Sequence, residues 1–152
     1  MTSPTDLEAA AAIRAHHAEL HATLRTRVLG LVDAAAAGGD VGTARAAVLE
    51  FLDGELLPHA AAEERTLYRA AEAGSSALLV EAMRAEHVDL AARVEALRDA
   101  DLRLATATAA SVVLALFESH LRKENELLIP ALLARADVSL ADLLAGMHQL
   151  VG

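Results

Sequence analysis

Cysteine is absent from this chain of 152 residues. That excludes disulfides and thiol redox chemistry, and leaves any redox function to a metal or a bound cofactor. Aromatic residues are nearly absent as well, at 2%: two phenylalanines, one tyrosine and no tryptophan. Since 55% of the chain is nonetheless hydrophobic, Ala, Leu and Val must fill the core, and Ala with Leu favours helices over strands. Basic side chains are also short. Thirteen Lys and Arg against 22 Asp and Glu give a net charge of -9 and a pI near 5.1, which argues against a nucleic-acid partner. The start, Met-Thr-Ser-Pro-Thr-Asp, lacks the basic flank and apolar run of a signal peptide. No later stretch reads as long and uncharged enough to span a membrane, so a cytoplasmic protein is expected. The length suits a single domain over residues 1–152.

Against these absences stands one stretch, His59-Ala-Ala-Ala-Glu63-Glu64, that recurs as His120-Leu-Arg-Lys-Glu124-Asn125. A His and a Glu four apart on a helix share a face and can converge on one ion. Both pairs fall within apolar stripes at helical spacing: Leu52, Leu56, His59, Glu63 and Leu67, then Val113, Leu116, His120, Glu124 and Leu128. A buried carboxylate is costly unless something compensates it.

Thr5-Asp-Leu-Glu8 reads as a capping box that opens a first helix running to the Ala tract before Gly38-Gly39. Its inward stripe is Ile13, His17, Leu20, His21, Leu24, Val28 and Leu31. A second helix is expected from near Asp40 to Thr43 as far as Gly74. Pro58 should kink it just before His59, with Gly54 giving the ring room. A third, capped by Ser75 or Ser76, carries Leu79, Met83, His87, Leu90, Val94 and Leu97. A fourth starts between Asp101 and Ser111 and reaches Pro130. Ser139-Leu-Ala-Asp142 opens a short fifth that ends near His148. The reading is all-α: an antiparallel up-down four-helix bundle with a short C-terminal fifth helix.

The halves repeat each other. Ile13-Arg-Ala-His-His17-Ala-Glu-Leu20 parallels Met83-Arg-Ala-Glu-His87-Val-Asp-Leu90, and the two His-x-x-x-Glu stretches follow in the same order. The alignment selects His17 as the partner of His87 and leaves His16 on the flank of the helix. His21 has Ala91 as its counterpart, and is either an additional ligand or a hydrogen-bond partner of one. The repeat thus offers four histidines and two carboxylates to one bundle centre. Such a set suits two irons, with His17 and His59 on one, His87 and His120 on the other, and Glu63 and Glu124 across both. Zinc competes for the same donors. The bland alternative is a set of satisfied core histidines.

On these residues the chain resembles the hemerythrin-like, or HHE cation-binding, family over about residues 13 to 133. The resemblance implies a non-heme diiron centre with His17, His59, Glu63, His87, His120 and Glu124 as ligands, an oxo or hydroxo bridge, and a position open to hydrogen peroxide, dioxygen or nitric oxide. Oxygen-carrying hemerythrins have a further His where this chain has Ala91, and a fourth-helix carboxylate spaced as His-x-x-x-x-Asp. The pattern here is closer to actinobacterial hemerythrin-like proteins, some of which decompose peroxide. Peroxide decomposition is therefore the leading expectation. A module that binds or senses dioxygen or nitric oxide, or an iron store, are the alternatives. Glu64 and His148 are expected at the surface, and Tyr68 falls nearly opposite His59 by helical arithmetic.

Overall fold

The computed structural model describes residues 4–151, and no strand occurs among them. The first helix, α1, spans Pro4–Ala36. It ends because Gly38, at φ 75°, takes the left-handed conformation that glycine adopts without strain. There Gly39 N–H donates to the Ala34 carbonyl at 3.0 Å and Gly38 N–H to that of Ala35 at 3.1 Å, a Schellman closure. The second rod is interrupted twice: α2 (Gly42–Phe51), a π turn (Leu52–Leu56), α3 (Leu57–Arg65), a break at Thr66, and α4 (Leu67–Glu72). The third is α5 (Ala77–Asp99). The fourth is α6 (Arg103–Lys123), a second π turn (Glu124–Leu128) and α7 (Ile129–Leu133). A closing helix, α8, spans Leu140–Val151. α1 packs on α2 and α6, and α5 on the same two, so the rods close a ring of four.

Pro58 and Pro130 each follow a π turn by two residues. Leu57 N–H donates to the Leu52 carbonyl and Ile129 N–H to that of Glu124, each one residue before the proline. Widening the turn relieves the clash of the ring with the preceding carbonyls and accommodates the missing N–H. Gly54 was expected to supply the room for Pro58. It does not, because a Cβ placed there meets nothing within 4 Å. The π turn does that work, and does it equally at Pro130, where no glycine is present.

Three further expectations are corrected. Thr5 lies inside α1, which already includes Pro4, so it does not open the helix. The neighbouring Asp6 instead accepts from the Ala141 N–H at 3.0 Å and the Ser139 hydroxyl at 3.3 Å, tying α8 to α1. Within two of the stripes, Phe117 rather than Leu116 and Val80 rather than Leu79 are buried. Finally, the stretch Arg103–Leu133 is long and apolar enough to cross a membrane by length and composition. Only Glu118 carries a formal charge between residues 104 and 121. Here it is a wall of the bundle, burying Ala110, Val113, Phe117 and Leu121 against its neighbours.

The apolar interior forms two separate clusters. One gathers Leu20, Leu24, Phe51, Leu56, Leu90 and Val113; the other gathers Ile13, Leu67, Met83, Leu128, Leu140 and Met147. Each rod contributes to both, so every rod must cross from one to the other. The expected start of α8 is observed: the Ser139 hydroxyl accepts from the Asp142 N–H at 3.2 Å. Ser139→Ala should lower the unfolding free energy by about 1 kcal/mol. Urea denaturation would measure this, with the earliest loss of hydrogen-exchange protection in α8.

Candidate metal centre

The rods cross between the clusters at polar residues. His17 sits one turn from Ile13 and Leu20, and His87 between Met83 and Leu90. His59 and Glu63 lie between Leu56 and Leu67, and His120 and Glu124 between Phe117 and Leu128. All six are buried, with Glu63 at 2% and Glu124 at 1% exposure. The structure gathers their donor atoms into two groups that share a carboxylate: His17, His59 and Glu63; and Glu63, His87, His120 and Glu124. Glu63 Oε1 lies 3.1 Å from His17 Nε2 and 3.0 Å from His59 Nε2, while Glu63 Oε2 lies 4.0 Å from His87 Nε2. Glu124 Oε1 is 3.0 Å from His120 Nε2, and its Oε2 is 3.6 Å from His17 Nε2. Each carboxylate therefore reaches histidines of both halves.

Three of the four imidazoles are oriented from behind. His17 Nδ1 pairs with Asn125 Oδ1 at 2.8 Å, His87 Nδ1 with Glu64 Oε1 at 2.7 Å, and His120 Nδ1 with Glu86 Oε2 at 2.8 Å. An Nδ1–H donated outward leaves Nε2 to face the centre, the arrangement that presents a histidine lone pair to a metal. Lys123 pairs with Glu86 in turn. His59 has no such oxygen partner among the described residues; the His16 ring stands edge-on to it at 4.9 Å.

Tyr68 is the residue that helical arithmetic misplaced. It is fully buried in the centre, where its hydroxyl donates to Glu124 Oε1 at 2.6 Å and lies 3.1 Å from His120 Nε2 and 3.2 Å from His87 Nε2. Its ring stacks on His87 with centroids 5.2 Å apart. The cause is Thr66, which leaves the helix at φ -122° and ψ -82° and so resets the rotation between Glu63 and Tyr68. The Thr66 hydroxyl donates back to the Ala62 carbonyl at 2.8 Å, holding that break. Glu64 was expected to be a solvated residue and instead holds His87. A rotation of about 100° from Glu63 turns it toward α5 rather than toward water. The repeat carried a signal for this, because Glu64 and Asn125 follow the two inward glutamates at the same position, and each supports a histidine of the opposite half. His21 does not join the cluster; its Nε2 lies 2.7 Å from Glu118 on a half-exposed rim. His148 is exposed.

The electrostatics describe a site that demands positive charge. Burial lowers the His17 pKa, but the hydrogen bond and charge of Glu63, with the charge of Glu124, overcome it and push it up to about 9. His120 is pulled down by burial and then raised to about 9, chiefly by Glu124. Burial raises the Glu63 carboxyl, yet His59 and His17 hold it well below its ordinary range. Burial, then the charges of Glu124 and Glu63, push the Tyr68 phenol far above its usual value, so it stays protonated. Without a metal, imidazolium protons neutralise the carboxylates. Even so, Glu124 Oε2 is buried with no hydrogen-bond partner, and His59 Nε2, though 3.0 Å from Glu63 Oε1, is not aligned to form a hydrogen bond with it. Orphaned inward atoms, Nε2 atoms facing one another at 2.9 Å between His87 and His120, and a mixed imidazole and carboxylate donor set all fit a cation pair.

Two outcomes test this geometry. Histidines whose folded pKa is raised from 6.5 to about 9 stabilise the metal-free fold fully below pH 6.5 and lose that contribution as pH rises through 9. The thermal midpoint of the metal-free protein should fall across that window. The loaded protein should show no such fall, and metal uptake at neutral pH should release protons, measurable in weakly buffered solution. Separately, Glu64→Ala and Asn125→Ala should each weaken metal affinity by about 10–100-fold while leaving the helical content unchanged. Equilibrium dialysis with circular dichroism would read both.

With the site described, comparison with known proteins adds one finding. Residues 8–148 match the family model of the hemerythrin HHE cation-binding domain. No curated protein and no solved structure matches the chain. The match spans nearly the whole chain and takes in every residue of the cluster, and the chain belongs to the hemerythrin HHE cation-binding domain family.

Proposed function

We propose that the centre holds two irons and decomposes hydrogen peroxide. His17 and His59 would hold one iron, His87 and His120 the other, with Glu63 and Glu124 shared between them. Tyr68 offers a further oxygen to the His87 and His120 half. When bound, the iron pair supplies two exchangeable electrons and an oxo or hydroxo bridge, enough to convert two hydrogen peroxide molecules into two waters and one dioxygen.

The observation that carries this reading is the Tyr68 hydroxyl, a buried donor 2.6 Å from Glu124 and within hydrogen-bond reach of two ligand nitrogens. Peroxide chemistry moves protons as well as electrons, and a buried hydroxyl hydrogen-bonded to a carboxylate and within reach of two imidazoles is placed to relay one inside a closed site. Glu64, Glu86 and Asn125 fix the rings, so the donor set is organised before any substrate arrives. Oxygen carriage would call for a lopsided set of histidines. Position 91 is Ala, and His21 is engaged by Glu118, so neither adds an imidazole. These features, with the His120-x-x-x-Glu124 spacing, favour a place near the actinobacterial hemerythrin-like proteins.

The test is oxygen evolution from peroxide by purified, iron-reconstituted protein, with two irons expected per chain. Tyr68→Phe should keep both irons and lower kcat for peroxide by about 10²-fold or more if the phenol is the proton donor. Iron binding with a reversible dioxygen or nitric oxide adduct and no peroxide turnover would replace this reading with a binding module. Iron uptake and release alone would replace it with storage.

A further inference from the structure

We infer that small uncharged ligands reach the metal centre past His59, under α8, through an opening whose width Val151 and Met147 set. The inference rests on the metal-centre reading and adds the path by which its substrate arrives.

Two cavities end on His59. One, of about 150 Å³, lies between α1, α3 and α8 and is lined by His16, His59, Leu144, Met147, His148 and Val151. The other, of about 190 Å³, is lined by His16, Gly54, Pro58, His59 and Val151, with the exposed Glu55 at its mouth. His16 and Val151 belong to both, so the two cavities flank one passage. A volume near 150 Å³ is roughly that of five liquid waters, ample room for peroxide or a diatomic gas. Its wall is apolar apart from three imidazoles, those of His16, His59 and His148, and such a wall costs a charged species its hydration and costs a neutral one far less.

The repeat explains why the passage lies here. At the position before the first inward histidine, the second half has Glu86, which holds His120 Nδ1 at 2.8 Å. The first half has His16 there, standing edge-on to His59 and half exposed. Among the described residues, His59 is thus the one imidazole of the four without an oxygen partner behind it, and its back faces the cavities. The other approach is closed by comparison. A polar groove of about 540 Å³ runs along Arg14, Ala18, His21 and Glu118, but its floor is the outer edge of His17. That edge is engaged by Asn125 Oδ1, and Arg14 is held to the Asn125 carbonyl at 3.1 Å. On the far side of the centre, Tyr68 stacks over His87.

Val151 is 48% exposed and Ala18 is also exposed, so both positions accept a large side chain without disturbing the core. The experiment is stopped-flow association of nitric oxide with the iron-loaded, reduced full chain, with metal content measured alongside. Val151→Trp should slow association by about tenfold or more at unchanged iron content, and Val151→Ala should not slow it. Ala18→Trp, filling the polar groove, should leave the rate within about twofold. An unchanged rate in Val151→Trp, or equal slowing by Ala18→Trp, would overturn the inference. Wild-type protein that takes up nitric oxide by this route yet consumes no peroxide would overturn the peroxide reading and leave the route standing. Protein that binds no iron overturns both, and metal analysis of the wild type separates that case at the outset.

Discussion

Two carboxylates that water cannot reach govern this bundle. Glu63 and Glu124 are essentially without solvent exposure, and ionised groups in that position cost several kcal/mol each unless opposite charge is close and well placed. The four histidines, and the cations they are built to share, are the compensation. This constraint explains the division of the core into two apolar clusters, since a layer of charge must be sealed above and below by side chains that exclude water. It also explains the tethers on the bundle exterior. Fixed rings let the inward nitrogens meet the carboxylates at hydrogen-bond distance. A bundle with the same apolar residues and free rings would leave those charges incompletely paired.

The broad architecture was legible because its signals are local. Gly38-Gly39 stops α1 by a left-handed residue, Ser139 starts α8 by a side-chain cap, and the Leu, Val and His stripes repeat at helical spacing. The convergence of His17, His59, Glu63, His87, His120 and Glu124 was legible for a different reason. Any one of them is an ordinary core histidine or a surface glutamate, but the same pattern twice in the same register is difficult to explain except by a common centre. Register also chose between adjacent residues, placing His17 inside at 1% exposure and His16 at the edge.

What escaped the sequence was whatever depended on a break in periodicity. Tyr68 lies five residues beyond Glu63, a separation that in an unbroken helix turns it well away from the Glu63 face. It enters the centre only because Thr66 departs from helical angles, and a lone threonine within an apolar stretch gives no notice of that. The π turns were half legible: Pro58 and Pro130 announced a disturbance, but its form, one widened turn ending just before each proline, follows from hydrogen-bond accommodation that composition does not encode. The tie from Asp6 to α8 was not read at all, because an acceptor for a helix start more than a hundred positions away looks the same in sequence as any acidic residue in a first turn.

The two halves have diverged where they would have to diverge for the two metal positions to differ. Glu64 and Asn125 occupy equivalent places and do equivalent jobs across the bundle, yet one is an anion and the other a neutral amide. Glu86 and His16 are equivalent as well, and here the neutral ring leaves His59 without the carboxylate that steadies His120. Tyr68 has Ile129 as its counterpart, so a hydroxyl reaches the His87 and His120 half while the other half receives a methyl-bearing core residue. All three exchanges act in one direction. They place negative charge, hydrogen-bonding oxygen and rigidity around His87 and His120, and a neutral amide behind His17 with a neutral ring and adjoining cavities beside His59. A carboxylate behind an imidazole makes it a stronger donor, and a neutral neighbour does not. On the proposed reading, two positions derived from one repeated unit thereby acquire different work, one half retaining its cation and the other meeting what comes in from outside.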